Sequence, residues 1–217
     1  MSYIVKRIIT SITLILLIYL SLKNSYVLTI TLLALSYFSI NEFSNIYKII
    51  YKKKKFLRFV TTMLSIFYVS LFSLIVWFNV VSTQYILTLQ LIFLLLICIS
   101  TDIGGFIFGK IIGGKKLTKI SPNKTISGFF GSLFLSVFAL FFLVYILTKN
   151  FELGFFIVGI VTSIACQIGD LFFSYLKRKS KLDDTGNILP GHGGILDRVD
   201  GILLGLPVGI FSLLTFF

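Results

Sequence analysis

Between Ser174 and Asp200 the chain reads SYLKRKSKLDDTGNILPGHGGILDRVD, placing Lys177, Arg178, His192, Asp197, Arg198 and Asp200 within one short stretch. Asp197 and Asp200 are spaced i, i+3, so a helix beginning here would bring their carboxylates onto one face. Carboxylates among cations suit a hard divalent ion with oxygen ligands that bridges phosphates. Gly191, Gly193 and Gly194 let backbone N–H groups approach an anion closely. For His192, set between glycines, the residues alone leave open a general acid, a phosphate contact or a simple turn. A zinc site is disfavoured, because His192 is the only histidine and both cysteines, Cys98 and Cys166, sit in apolar runs. A Ser-His-Asp triad exists in composition only, with no nucleophile elbow.

Asp170 stands seven positions before Lys177, about 10 Å along a helix. A carboxylate in mid-membrane costs on the order of 2.5–3.5 kcal/mol, less near the interface. Asp170, Ser174 and Lys177 would share a helical face. Neutralisation of Asp170 by that lysine is the bland reading; a metal-binding or catalytic acid is the default for a submerged carboxylate. Upstream lies TDIGGFIFGKIIGGKKLTKISPNKTISGFFG. Here Asp102 precedes a glycine-rich loop, and Ser121, Lys124 and Thr125 form a turn suited to holding phosphate. Lys115, Lys116 and Lys119 fit a solvated loop equally well. Glu42 is a structural or active-site acid outside the predicted site, and Lys52 to Lys55 read as a topology signal against anionic headgroups.

These groups must be positioned by membrane helices. The chain is 57% hydrophobic and only 13% charged over 217 residues, with mean hydropathy +1.01, which excludes an ordinary soluble domain. Apolar runs of about 20 residues are long enough to span a ~30 Å hydrocarbon layer. Seven spans are predicted, at 4–22, 26–47, 59–80, 84–108, 128–148, 153–176 and 201–217. The connections then alternate in charge, with eighteen of the twenty basic residues on one side. The positive-inside rule makes that side, and the N-terminus, cytoplasmic. The expected architecture is all-α: a polytopic bundle forming a single membrane domain over 1–217, with N-terminal spans in 1–97 and a catalytic half in 98–217. The first apolar run lacks an A-x-A cleavage site and reads as a retained span. The net charge of +12 does not imply nucleic acid, since no basic face or aromatic platform accompanies it. Two buried thiols, rather than a disulfide framework, are expected.

The Ser174–Asp200 stretch resembles the signature of the phosphatidate cytidylyltransferases (CDP-diacylglycerol synthases): Ser-x-x-Lys-Arg-x4-Lys-Asp-x-Gly, Pro-Gly-His-Gly-Gly, then Asp-Arg-x-Asp. The upstream Asp-x-Gly, Gly-Lys and Ser-Pro-x-Lys-Thr resemble that family's other conserved loop. Together they cover residues 98–205. The chain departs from the pattern where Asp183 precedes Asp184, a place where the family has lysine, and at Ser127. The resemblance implies transfer of a cytidylyl group from CTP to phosphatidate, giving CDP-diacylglycerol and pyrophosphate. It implies Mg²⁺, with a second, monovalent cation left open. Asp170, Asp197 and Asp200 would hold metal; Lys124, Lys177, Arg178 and Arg198 would clamp phosphates; the Gly191–Gly194 turn would cradle nucleotide or pyrophosphate. It further implies a homodimer in a bacterial inner membrane, with the site facing the cytoplasm. Rival readings are a CTP-dependent lipid kinase, a CDP-archaeol-type synthase, and an ion or proton transporter using Asp102 and Asp170.

Overall fold

The computed structural model describes residues 3–82, 85–149 and 152–216. Position 84 of the fourth predicted span and position 217 of the seventh lie outside them. Seven helices follow in order: α1 (Tyr3–Lys23), α2 (Ser25–Ile50), α3 (Lys55–Val81), α4 (Tyr85–Ile111), α5 (Ile126–Thr148), α6 (Leu153–Ser180) and α7 (Leu196–Phe216). All seven are long and apolar enough to cross a membrane, so the chain is an all-helical integral membrane protein. Their outward faces carry large apolar side chains such as Ile15, Phe67, Leu74, Phe134 and Phe211, all more than half exposed. Lipid, which is as apolar as these side chains, is the solvent such a surface needs.

Several helices outrun the apolar segments that predicted them. α6 continues through Lys177, Arg178 and Lys179 to Ser180, and α7 begins at Leu196 rather than 201. The apolar pattern marks where hydrocarbon ends, whereas the helix ends where its terminal groups find caps. Asp197 and Asp200 therefore lie in the first two turns of α7. α4 likewise extends to Ile111, so Gly109 is helical along with Gly104 and Gly105, and Gly113 (φ 62°) and Gly114 (φ 103°) turn the chain.

The fold comprises two compact units: Met1–Thr83 with Leu176–Val199, and Gln84–Tyr175 with Asp200–Phe217. In the first, α2 packs on α3 and α1 on α2, around Phe43, Ile46, Tyr47, Val69 and Phe72. Polar pairs join these helices: Ser36–Ser73 at 2.8 Å, Tyr47–Ser65 at 3.0 Å and Ser21–Thr31 at 3.1 Å. In the second, α4 and α5 make the broadest helix pairing, and small residues explain its closeness. A Cβ added at Gly104 would come within 2.6 Å of Gly131 O, and one at Gly128 within 2.8 Å of Gly105 O. The apolar centre of this unit is Leu94, Ile97, Leu140, Val144, Val158 and Leu213. α7 crosses α6 along Gly201 and Gly205, where added Cβ atoms would press on Cys166, and the two buried free thiols Cys98 and Cys166 lie 3.0 Å apart.

Candidate active site

The first unit holds the signature stretch as one hydrogen-bonded assembly. α6 ends because Lys181 takes a left-handed turn (φ 57°) and Leu182 N–H returns to Lys177 O at 3.0 Å. Its last turn carries Lys177, Arg178 and Lys179, cations placed where the helix dipole is negative. The chain then reaches Thr185, which is buried, and a tight turn at 189–193. Leu189 N–H donates to Gly193 O and His192 N–H to Leu189 O, both at 2.9 Å. Gly191 (φ 75°) and Gly193 (φ 82°) supply the left-handed conformations this turn needs.

Asp197 ties these pieces together. Its Oδ1 accepts from Lys177 Nζ at 2.7 Å; its Oδ2 accepts from Thr185 N at 2.8 Å, Thr185 Oγ1 at 3.0 Å and Gly194 N at 3.2 Å. Below it sits Glu42 of α2, 3% exposed. Glu42 Oε1 accepts from Ile195 N at 2.9 Å, and Oε2 from Leu196 N at 2.9 Å and Thr185 Oγ1 at 2.8 Å. One carboxylate thus satisfies two of the N–H groups that open α7, at the end where the helix dipole favours negative charge. The fit leaves no spare volume: a Cβ at Gly186 would meet Glu42 Oε1, and one at Gly194 Glu42 Oε2, each at 2.7 Å. Nothing around Asn41-Glu42-Phe43 announces this role, because every partner lies more than 140 positions later.

His192 and its neighbours rest on α1. Thr10 Oγ1 donates to Pro190 O at 2.8 Å, and Ser11 Oγ lies 3.3 Å from His192 Nε2. Arg198 Nε donates to His192 O at 3.0 Å, so this exposed guanidinium braces the turn from its solvent side. Arg178 reaches Asp183 only at 3.9 Å, and both are well exposed. Asp184 lies against Gly193, where an added Cβ would be 3.3 Å from its Cγ. The departure from the family pattern at Asp183 therefore falls on a surface carboxylate.

The second unit gathers a different set. Lys124 is ion-paired with Asp170, both about a quarter exposed, and Asp102 lies within electrostatic reach of each. Gly169 is pressed so closely on α7 that a Cβ there would be 2.7 Å from Asp200 O, which brings Asp200 to the same helix crossing as Asp170. Asp200 Oδ1 accepts from its neighbour Gly201 N at 2.9 Å. Lys124 is delivered by a small hairpin, with Leu117 N–H on Lys124 O at 2.8 Å and Ile126 N–H on Lys115 O at 3.0 Å. Ser121 O accepts from Lys124 N at 3.1 Å. Thr125 caps α5, its hydroxyl accepting from Gly128 N at 3.1 Å and pairing with Ser127 at 2.9 Å. Ser174 lies half-buried on α6, one turn beyond Asp170.

The predicted site residues thus form two groups, each coherent in its own unit: Lys177, Arg178, His192, Asp197 and Arg198 with Gly191, Gly193 and Gly194; and Asp102, Ser121, Lys124, Thr125, Asp170, Ser174 and Asp200. Among the described residues no three His, Cys, Asp or Glu side chains converge to hold an ion by themselves. Magnesium does not require that: it usually takes one or two carboxylates and completes its shell with water and substrate phosphates. Asp170 and Asp200, oxygen donors at one helix crossing, suit that pattern in type; an ion at Asp170 would share it with Lys124, as an ion at Asp197 would share it with Lys177.

Comparison with known proteins gives the chain a family. The model of the cytidylyltransferase family matches residues 2–216. A Helicobacter pylori protein named phosphatidate cytidylyltransferase is 41% identical over 127 residues, 58% of this chain and 47% of its own length. Proteins of the same name from Staphylococcus aureus (strain COL) and Staphylococcus epidermidis are 44% identical over 110 residues and 42% over 120, covering 50% and 54% of this chain. The match takes in 42% and 46% of those two relatives, so the chain spans about half the length of the proteins it resembles. A family match over nearly every residue, with the signature stretch folded as one assembly, settles its affiliation: the chain belongs to the cytidylyltransferase family.

Proposed function

We propose that this membrane protein transfers the cytidylyl group of CTP to phosphatidate, yielding CDP-diacylglycerol and pyrophosphate. The observation that carries the reading is the Lys177–Asp197–Thr185–Gly194 assembly, which fixes an ammonium beside a glycine turn, a combination suited to phosphates. The name shared by the relatives supports the same choice of substrates.

The chemistry needs no protein nucleophile. A phosphate oxygen of phosphatidate attacks the α-phosphorus of CTP; the bond from that phosphorus to the bridging oxygen breaks, and pyrophosphate leaves with its electron pair. Catalysis then rests on positioning and charge stabilisation. Lys177 and Lys124, each anchored by an aspartate, present their remaining N–H donors to phosphate oxygens. Arg178, 3.9 Å from the exposed Asp183, adds a further cation. Arg198 and Glu42 keep the glycine turn in shape. Magnesium, where bound, would neutralise triphosphate charge, with Asp170 and Asp200 as its protein donors.

The same reading places the site on the cytoplasmic face of a bacterial inner membrane, where CTP is available, and admits a homodimer. Purified protein incubated with labelled CTP, phosphatidate vesicles and Mg²⁺ tests it directly. Lipid-linked label and pyrophosphate should appear in equal amounts; the absence of both would overturn the assignment.

A further inference from the structure

The two nitrogens of His192 stand in different circumstances. Nε2 lies 3.3 Å from Ser11 Oγ, while Nδ1 is buried without a hydrogen-bond partner among the described residues. An unmet buried polar atom is costly, and in a turn of this kind it calls for a ligand. The turn that carries the ring is also held by a helix that carries none of the signature. Thr10 Oγ1 donates to Pro190 O, and an added Cβ at Gly191 would lie 2.8 Å from Arg7 Cγ and 3.3 Å from Arg7 N. Arg7, Thr10 and Ser11 are spaced i, i+3, i+4, so one face of α1 is given over to the Pro190–His192 turn. Two amides of the turn already point inward, His192 N to Leu189 O and Gly194 N to Asp197 Oδ2. The imidazole supplies a donor that these amides no longer can.

We propose that α1 is part of the substrate site: Ser11 donates its hydroxyl proton to His192 Nε2, the ring proton therefore resides on Nδ1, and Nδ1–H holds a phosphate oxygen of the nucleotide. The opposite tautomer would face that anion with a lone pair. His192 is then a binding residue, and Ser11 a positioning residue acting through it. This inference rests on the function proposed above.

The test compares wild type with His192→Asn, His192→Gln, Ser11→Ala and Ser11→Thr in the full chain, at varied CTP and fixed phosphatidate. An asparagine amide nitrogen falls close to the place of Nδ1, a glutamine one close to Nε2. His192→Asn should keep the CTP KM near that of wild type. His192→Gln should raise it roughly tenfold, the scale of one hydrogen bond to an anion. Ser11→Ala should raise KM several-fold with kcat nearly unchanged, since a contact made equally in ground and transition states acts on KM; Ser11→Thr, which keeps the hydroxyl, should restore it. Glutamine performing as well as asparagine, or Ser11→Ala leaving KM untouched, would overturn the inference. If either His192 variant fails to fold, the Ser11 pair decides alone. A wild type that forms no lipid-linked product, and whose thermal midpoint CTP does not raise, sinks the proposed function and this inference together. A turning-over wild type with the wrong variant order sinks only the inference.

Discussion

Glu42→Gln is the sharpest perturbation available. Glutamine keeps the shape of a side chain that has no room to move, between Gly186 and Gly194. It replaces one oxygen by an NH₂ group, while Oε1 accepts from Ile195 N and Oε2 from Leu196 N and the Thr185 hydroxyl. Whichever way the amide turns, its NH₂ faces one of the two backbone N–H groups, since only the hydroxyl can reverse its role. One bond is lost and a buried donor is stranded, at about 1–3 kcal/mol. Loss of negative charge at the start of α7 adds about 0.3–1 kcal/mol. The sum, about 1.3–4 kcal/mol, corresponds to a fall in thermal midpoint of roughly 3–16 °C for a chain of this length. Fluorescence-monitored unfolding in detergent reads it, with turnover measured well below both midpoints. Glu42→Asp, one methylene short, should be no better than glutamine. A Glu42→Gln midpoint within about 1 °C of wild type would refute the claim that this carboxylate carries the turn and the start of α7.

Lys177→Met should lower turnover more than it lowers the thermal midpoint, because it removes a phosphate donor and leaves Asp197 with its three other donors; an unchanged rate would remove Lys177 from the site. Gly205→Ala should destabilise by about 1–3 kcal/mol, because its Cβ would run into Cys166 Sγ. Adding Cys166→Ala should recover much of that loss in the same unfolding assay, and a lack of recovery would show the crossing to be looser than described. Thr125→Ala should cost about 0.5–2 kcal/mol through the lost α5 cap, whereas Thr125→Ser should be nearly silent. A reporter enzyme fused within 110–124 should be active only if it functions in the cytoplasm, and activity of an export-dependent reporter there would invert the predicted topology.

Much of this architecture is legible in the residues. Apolar runs separated by lysine-rich connections gave seven helices, because hydrocarbon thickness imposes a length that few other constraints imitate. The signature stretch announced itself through cations, acids and glycines placed close together in sequence. What escaped was non-local. Glu42 is a lone acid after an asparagine until the fold brings residues 185–196 to it. Thr10 and Ser11 look like ordinary small polar positions of a first span. Gly109 falls beyond the predicted 84–108 span because glycine marks turns in soluble chains, yet with Gly104 and Gly105 it lets α4 meet α5 closely. Asp197 looked like a free ligand, since a sequence does not reveal which donors already hold an oxygen.

The separation between Glu42 and its partners also orders events during synthesis. α2 leaves the ribosome some 150 residues before the donors at Ile195 and Leu196, whose bonds to Glu42 span 153 and 154 positions. At ordinary elongation rates that is a wait of roughly ten to thirty seconds. Throughout it the carboxylate must stay hydrated, which its place in the last third of α2 allows. A nascent chain stopped before Thr185 would leave that acid without these donors. Capture of Glu42 by the arriving turn is therefore a contact that only a chain extended through Leu196 can make.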